Sequence, residues 1–348
     1  MILVLTLYPE ATFYRRHVRL LFFAIALFLL SAPTNAQRVL SEKQWIEQLN
    51  LKSGLPEKLL SARSVVFYNY TVTEKELNDA QLTFQRTGID AVAYFELDML
   101  MASRDVTKAF ADYFAKREMT NLVLIEKTET DYRLTATTIN GKETVIEPGQ
   151  GAWSTSNRVF SEALKELYRS AANAQKKQNL LINDTPETGL PINLIVGKRN
   201  EFYAMDLKVD NLSVQKTGDE AIDTELEEIF KANYTLKYKM TEPALTEKEM
   251  RKQGLTYVLC FVHCRGAVGK ELLGYDMSKS ESALVSVTYP ETTQQLKNIP
   301  SNTTVFKFYF KHIDSGNVFF GTKWDADETW QQALLNHLRG MKVELRIN

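Results

Sequence analysis

Residues 256–275 hold most of the residue types capable of chemistry: Thr-Tyr-Val-Leu-Cys260-Phe-Val-His263-Cys264, then Arg265-Gly-Ala-Val-Gly-Lys270-Glu-Leu-Leu-Gly-Tyr275. Cys260 and Cys264 are the two cysteines of the chain. On a strand, residues four apart share a face but lie ~13 Å from each other. A disulfide requires Cα atoms within ~7 Å. Two buried thiols on one sheet face are therefore expected, with a bridge across a local bend as the alternative in an oxidising compartment. His263 points to the opposite face, away from any metal site the thiols could share. The glycines that follow invite comparison with a phosphate-binding loop, but Gly266 and Gly269 are too close, and Glu271 stands where Ser or Thr should hold magnesium. A partner-contacting loop over 265–280 is the better reading, with Arg265, Lys270 and Tyr275 as candidate binding residues.

A catalytic signature does not emerge elsewhere. Beyond residue 36 the histidines are His263, His312 and His337, none in a His-Glu-x-x-His spacing, and no Gly-x-Ser-x-Gly is present. A hydrolase triad needs a nucleophile oriented by such a base. Asp325 and Asp327 precede a predicted helix, whose N-terminal dipole favours anions without any catalytic role. No catalytic residue, metal or cofactor is expected. Trp153 and Trp324 are candidate binding platforms, because tryptophan is enriched at hot spots. Their matched positions before matched helices argue instead for a structural plug.

That match is part of a repeat. Asn140-Gly141, Thr144–Ile146, Trp153 and a helix over Val159–Ala171 recur as Asp314-Ser-Gly316, Val318–Phe320, Trp324 and a helix over Trp330–Met341. Inside the helices Phe160 matches Trp330, Ala163 Ala333, Leu164 Leu334, Tyr168 Leu338 and Arg169 Arg339. Upstream, the first copy reads as a strand from Ser64, a helix from Thr73/Glu74 to Arg86 stopped by Gly88, and a strand over Ala91–Phe95. A helix capped by Ser103 and strands over Leu122–Ile125 and Leu134–Thr138 follow. The second copy gives strand material over Leu207–Val214, a helix over Glu220–Ala232, a strand over Leu236–Met240 and a helix over Glu247–Gln253. Strands over Tyr257–Cys264, Leu284–Thr288 and Val305–Lys311 complete it. The expectation is an α+β fold: two tandem β-α-β-α-β-β-β-α units, helices on one side of a mixed, largely antiparallel sheet. The turn-rich segment 176–199 reads as a linker between a first domain, 37–175, and a second, 200–348.

Residues 1–36 read as a secretory signal peptide: Arg15, Arg16 and Arg19, the apolar run Leu20–Leu30, then small residues up to Ala36. Eleven apolar residues fall short of the ~20 that span a bilayer, so no permanent membrane span is expected after cleavage. The protein is expected to be exported, periplasmic or extracellular. A net charge of −1 and the absence of clustered Lys/Arg with interleaved aromatics argue against nucleic acid as a partner.

The element order, with Gly254-Leu-Thr-Tyr-Val-Leu259 and Asp314-Ser-Gly-Asn-Val318 as the residues that carry the likeness, resembles the small α/β modules of exported bacterial envelope proteins. The N-terminal domain of TolB, the curli secretion lipoprotein CsgG and the penicillin-binding-protein activator LpoB are of this type. The resemblance implies assembly with partners in a cell envelope. The reading is a non-catalytic binding or assembly module whose partner is another envelope protein or a second copy, reached through an exposed sheet edge or the 265–280 insertion. An envelope hydrolase with a site in the cleft between the domains is the alternative.

Overall fold

The computed structural model describes residues 42–174, 179, 181–189, 192–243, 245–277, 281–291 and 293–347. The expected signal peptide lies outside the described residues.

The chain opens with α1 (Glu42–Glu47), β1 (Asn50–Leu51) and β2 (Arg63–Tyr68). Then come α2 (Glu74–Thr87), β3 (Asp90–Glu96), a single turn α3 (Leu97–Leu100), α4 (Arg104–Arg117) and β4 (Met119–Lys127). β5 (Tyr132–Thr138), β6 (Gly151–Asn157) and α5 (Phe160–Ala172) close the first unit. β7 (Glu187–Thr188) and β8 (Arg199–Asn200) lead to β9 (Leu212–Gln215), α6 (Glu220–Asn233), β10 (Tyr238–Thr241), α7 (Glu247–Lys252) and β11 (Tyr257–Arg265). α8 (Gly266–Leu272), β12 (Ala283–Thr288), β13 (Gln295–Pro300), β14 (Thr304–His312), β15 (Val318–Phe319) and α9 (Trp330–Leu345) complete the chain.

The fold is mixed α and β: the ladders β4–β5, β5–β6, β11–β14 and β12–β13 are antiparallel, while β2 pairs in parallel with both β3 and β4. The first sheet runs β1-β6-β5-β4-β2-β3-β7 and the second β10-β9-β11-β14-β15-β8. Read from β1 and from β8, six strands follow in the same order with the same directions. The helices do not share one side as expected. Val65 and Phe67 of β2 face α4, whereas Val66 faces α2 and α5. The cause is topological: the connection β2→β3 and the return β3→β4 step in opposite directions past β2. Right-handed crossovers then put their helices on opposite faces. The central parallel strands are consequently apolar on both faces. In the second unit α6 and α9 cover one face, and Met250 of α7 packs on Val258 from the other.

Helix ends obey the sequence signals. Thr73 and Glu76 form a capping box on α2, Thr246 and Glu249 repeat it on α7, and Gly88 adopts φ +88° after α2. The Glu76 carboxylate also accepts from Lys127 Nζ (2.9 Å) and Tyr132 OH (2.5 Å), tying α2 to β4 and β5. Burial pushes its pKa up, but the bonds from Tyr132, Thr73 and Lys127 outweigh this and bring it to about 2. The stability it supplies is complete above the ordinary value of 4.5 and is lost as pH falls towards about 2. Glu76→Gln is expected to cost about 1–3 kcal/mol at neutral pH. It should also flatten the loss of stability between those two pH values, as read by urea unfolding across pH.

Two expected strands are displaced. Gly141 takes the left-handed conformation the turn requires (φ +72°), but Thr144–Ile146 do not return as a strand. Asn140 and Val145 close a small loop, Asn140 N donating to the Val145 carbonyl (2.8 Å). Val145 and Ile146 plug the core, and Pro148-Gly149 precede the strand that does pair, β6. Leu207 lies in a 3-10 turn over Met205–Lys208 rather than in a strand.

The expected linker is not bare where it is described. Glu187 and Thr188 add to the edge of β3, and Arg199 and Asn200 add to β15. Within it Leu181 is 88% exposed. One apolar cluster runs through both units, joining Phe67, Phe95 and Phe110 of the first to Val262, Cys264, Val305 and Tyr309 of the second. β9 pairs only with the first two residues of β11, and further along His263 N donates to the Ala102 carbonyl of the first unit (2.7 Å). Arg265 reaches Glu96 and Asp98, and Lys311 bridges Asp105 (3.5 Å) and Glu247 (2.7 Å). Both cysteines are free thiols, and burial pushes each pKa up.

Candidate functional site

Between β11 and β14 the second unit carries a block with no counterpart between β4 and β5: α8 and the hairpin β12–β13. The glycine-rich stretch that opens it, expected as a loop, is helical. Its glycines allow close approach rather than flexibility. A Cβ at Gly266 would lie 2.6 Å from Leu284 Cδ1, and one at Gly269 would lie 3.5 Å from Cys264 Sγ.

Four of the five candidate binding residues meet around this block, and all of them point inward. The side chain of Arg265, 12% exposed, donates to Asp98 (2.7 Å), pairs with Glu96 and lies over the Tyr70 ring (4.4 Å). Lys270 pairs with Glu281 (2.7 Å) and lies over Trp324 (5.8 Å). Tyr275 meets Trp324 edge to face (5.2 Å), and the Arg199 guanidinium lies over the Tyr275 ring (4.3 Å). The fifth, Trp153, lies within β6 and packs under α5 in the first unit. The two tryptophans are not equivalent plugs. The closing helices match at an offset of 170 (Phe160 with Trp330), but Trp153 and Trp324 are 171 apart. A slip of one residue in an extended segment turns a side chain to the other face. Trp324 accordingly joins the cluster shared by both units, away from α9.

The hairpin stands on polar anchors. Asn336 Oδ1 on α9 accepts from Tyr289 N (2.8 Å) and Thr288 Oγ1 (3.2 Å), Val287 N donates to the Trp324 carbonyl (2.7 Å), and Lys297 pairs with Asp327 (2.9 Å). Its inner side buries Leu284 and Ile299. Its outer side shows Val285, 56% exposed, diagonal to Leu296, 69% exposed. Among the described residues no strand pairs with the outer edge of β13.

Sequence reasoning missed a polar cluster beneath the hairpin. Lys307 Nζ, fully buried, donates to Asp325 Oδ1 (2.6 Å) and the Phe320 carbonyl (3.1 Å). His337 Nδ1 lies 3.1 Å from Asp325 Oδ2 and 3.1 Å from Tyr203 OH, which also donates to the His337 carbonyl (3.2 Å). A proton on Nδ1 satisfies these contacts and leaves Nε2 bare. Burial lowers the pKa of Lys307 and of His337 against the pull of Asp325. Burial would raise Asp325, but the charges of Lys307 and His337 hold it below its usual range. The Asp–His half of a hydrolytic triad is present in form. His337 is nevertheless sealed against Phe310 and Tyr203, and no hydroxyl or thiol meets its Nε2 among the described residues. The adjoining cavity, about 140 Å³, admits Tyr203, Asp325, Asn336 and Glu344 to its wall.

A larger cavity, about 320 Å³, opens between Arg63, Arg117, Asp90 and Glu187 in the first unit. Its charges are already engaged, Arg117 with Glu187 (2.8 Å) and Asp90 with the Asn183 amide (2.9 Å). Among the described residues no three His, Cys, Asp or Glu side chains are grouped to hold a metal ion. No family model and no curated protein matches the chain.

Proposed function

We propose that the chain is an exported, non-catalytic binding or assembly module of a bacterial cell envelope, acting through protein–protein contacts. The observation that carries this is the β12–β13 hairpin: among the described residues a block of the second unit alone, fixed by Asn336 and Lys297, with Val285 and Leu296 held out beside an edge that no described strand pairs. Rigid support with an apolar tip is what a contact surface needs, since anchoring lowers the ordering cost of binding. The hydrolase reading places a site between the units. There the described residues pack a common apolar core around the Arg265 ion pairs, which favours the contact reading. No helix among the described residues is long and apolar enough to cross a membrane.

Affinity isolation of the tagged protein from its native envelope, with cross-linking, tests the reading. The wild-type chain should bring down a stoichiometric partner. Val285→Lys/Leu296→Lys should lower its recovery by at least about tenfold, since each change sets a desolvated charge against an apolar contact. Recovery of the wild-type protein alone, or equal recovery with the double variant, overturns the reading.

A further inference from the structure

The matching strand orders make β10 the counterpart of β3, and the two strands differ in one respect. β3 is covered by β7, which adds in parallel with Glu187 beside Ala93 and Thr188 beside Tyr94. Glu187 is then held by Arg117 (2.8 Å) and Tyr113 OH (3.1 Å) of α4. Among the described residues no strand covers β10. Its inner side is engaged, with Leu212 N donating to the Lys237 carbonyl (3.1 Å) and Lys216 N to the Thr241 carbonyl (2.9 Å). Alternation of the strand backbone therefore turns the amides and carbonyls of Tyr238 and Met240 outward.

Registering the two units on Tyr94 and Tyr238, each paired to the strand that starts its βαβ unit, sets Lys237 where Ala93 faces Glu187. Lys237 and Lys239 are exposed, and alternation puts them on the face of the strand that α7 covers, where the last turn brings Arg251 and Lys252. Lys239 Nζ donates to the neutral Gln253 Oε1 (2.7 Å) and Lys237 Nζ to the Val209 carbonyl (3.4 Å), while Arg251 pairs with Asp314. Three acids near the strand are engaged: Glu242 with Lys216 (3.3 Å), Glu247 with Lys311 (2.7 Å), and Glu227 on the opposite face with Lys231 (2.8 Å).

We propose that β10 is a docking strand for an extended acidic segment of a partner protein, which adds parallel to it as β7 adds to β3 and sets a carboxylate against Lys237 and Lys239. This rests on the contact reading above and names the edge, the direction and the chemistry of one partner. Main-chain bonds to Tyr238 and Met240 would supply affinity, and the lysines would supply selection by charge.

Fluorescence anisotropy with two labelled peptides tests it: an extended Thr-Glu-Val-Glu-Val-Glu-Thr-Gly and its counterpart with lysine for glutamate. The acidic peptide should bind at least about tenfold more tightly. Met240→Pro removes one outward amide while sparing the bonds to β9, and should abolish binding. Lys237→Glu/Lys239→Glu should reverse the preference, which decides the matter even if the proline variant fails to fold. Equal binding of both peptides, no binding of either, or no effect of the charge reversal overturns the proposal. So does self-association that Met240→Pro abolishes without peptide, because the occupant is then a second copy. If β10 fails while Val285→Lys/Leu296→Lys still loses the envelope partner, only this proposal falls.

Discussion

Lys307→Met is expected to destabilise the folded chain by about 3–5 kcal/mol, because it leaves Asp325 buried and without its cation. Methionine fills much the same volume, so the loss reports charge rather than a cavity. Lys307→Met/Asp325→Asn should recover at least about half of it: the asparagine oxygen can still accept from His337 Nδ1, and no charge is stranded. Urea unfolding at pH 7 measures both, and a single-variant loss under about 1 kcal/mol would show the pair to be dispensable. The same cluster sets an acid response. The His337 pKa is lowered by burial, so as pH falls through the ordinary 6.5 the unfolded chain takes up a proton that the folded one refuses. Stability is therefore complete above that pH and declines below it, and Asp325 adds a further decline below its ordinary 3.8.

Arg265→Leu is expected to loosen the two units from each other, costing about 2–4 kcal/mol by stranding Asp98 and Glu96 in a partly desolvated joint. The effect should concentrate where the units touch. The His263 amide, bonded to the Ala102 carbonyl, should exchange with solvent at least about tenfold faster. Pairing the change with Asp98→Asn should give a coupling above about 1 kcal/mol in a double-mutant cycle. Unchanged exchange at His263, or additive losses, would mean the ion pairs do not hold the joint.

Elements with their own local signals were legible in the sequence. Thr73 and Ser103 cap the helices expected of them, Gly88 ends one, and the strands over 64–68, 91–95, 122–125, 257–264 and 305–311 lie where their apolar runs place them. What stayed hidden depends on contacts distant in sequence. Helices on both faces follow from the order of strand pairing, which residue types do not encode. β13, with Lys297 and Asn298 in it, is held by Asp327 and by β12 rather than by its own propensity. The polar cluster had one visible trace: Lys307 interrupts Val305–Phe310, a run otherwise apolar on both sides. Alternation puts that lysine on the face of β14 opposite Phe306, Phe308 and Phe310, and its buried partner Asp325 lies 18 positions away in sequence. Arg265, Lys270 and Tyr275 drew notice for their chemistry, yet each is spent on holding the block that presents Val285 and Leu296.

The bond from His263 to the Ala102 carbonyl has a consequence for how the chain can change over time. Part of one strand's backbone pairing is supplied by a turn that precedes it by more than one hundred and fifty positions. Insertions or deletions near residues 97–105 would be felt in β11, although local inspection would class them as harmless surface edits. Grafting the C-terminal half onto another scaffold would require carrying that short turn along with it.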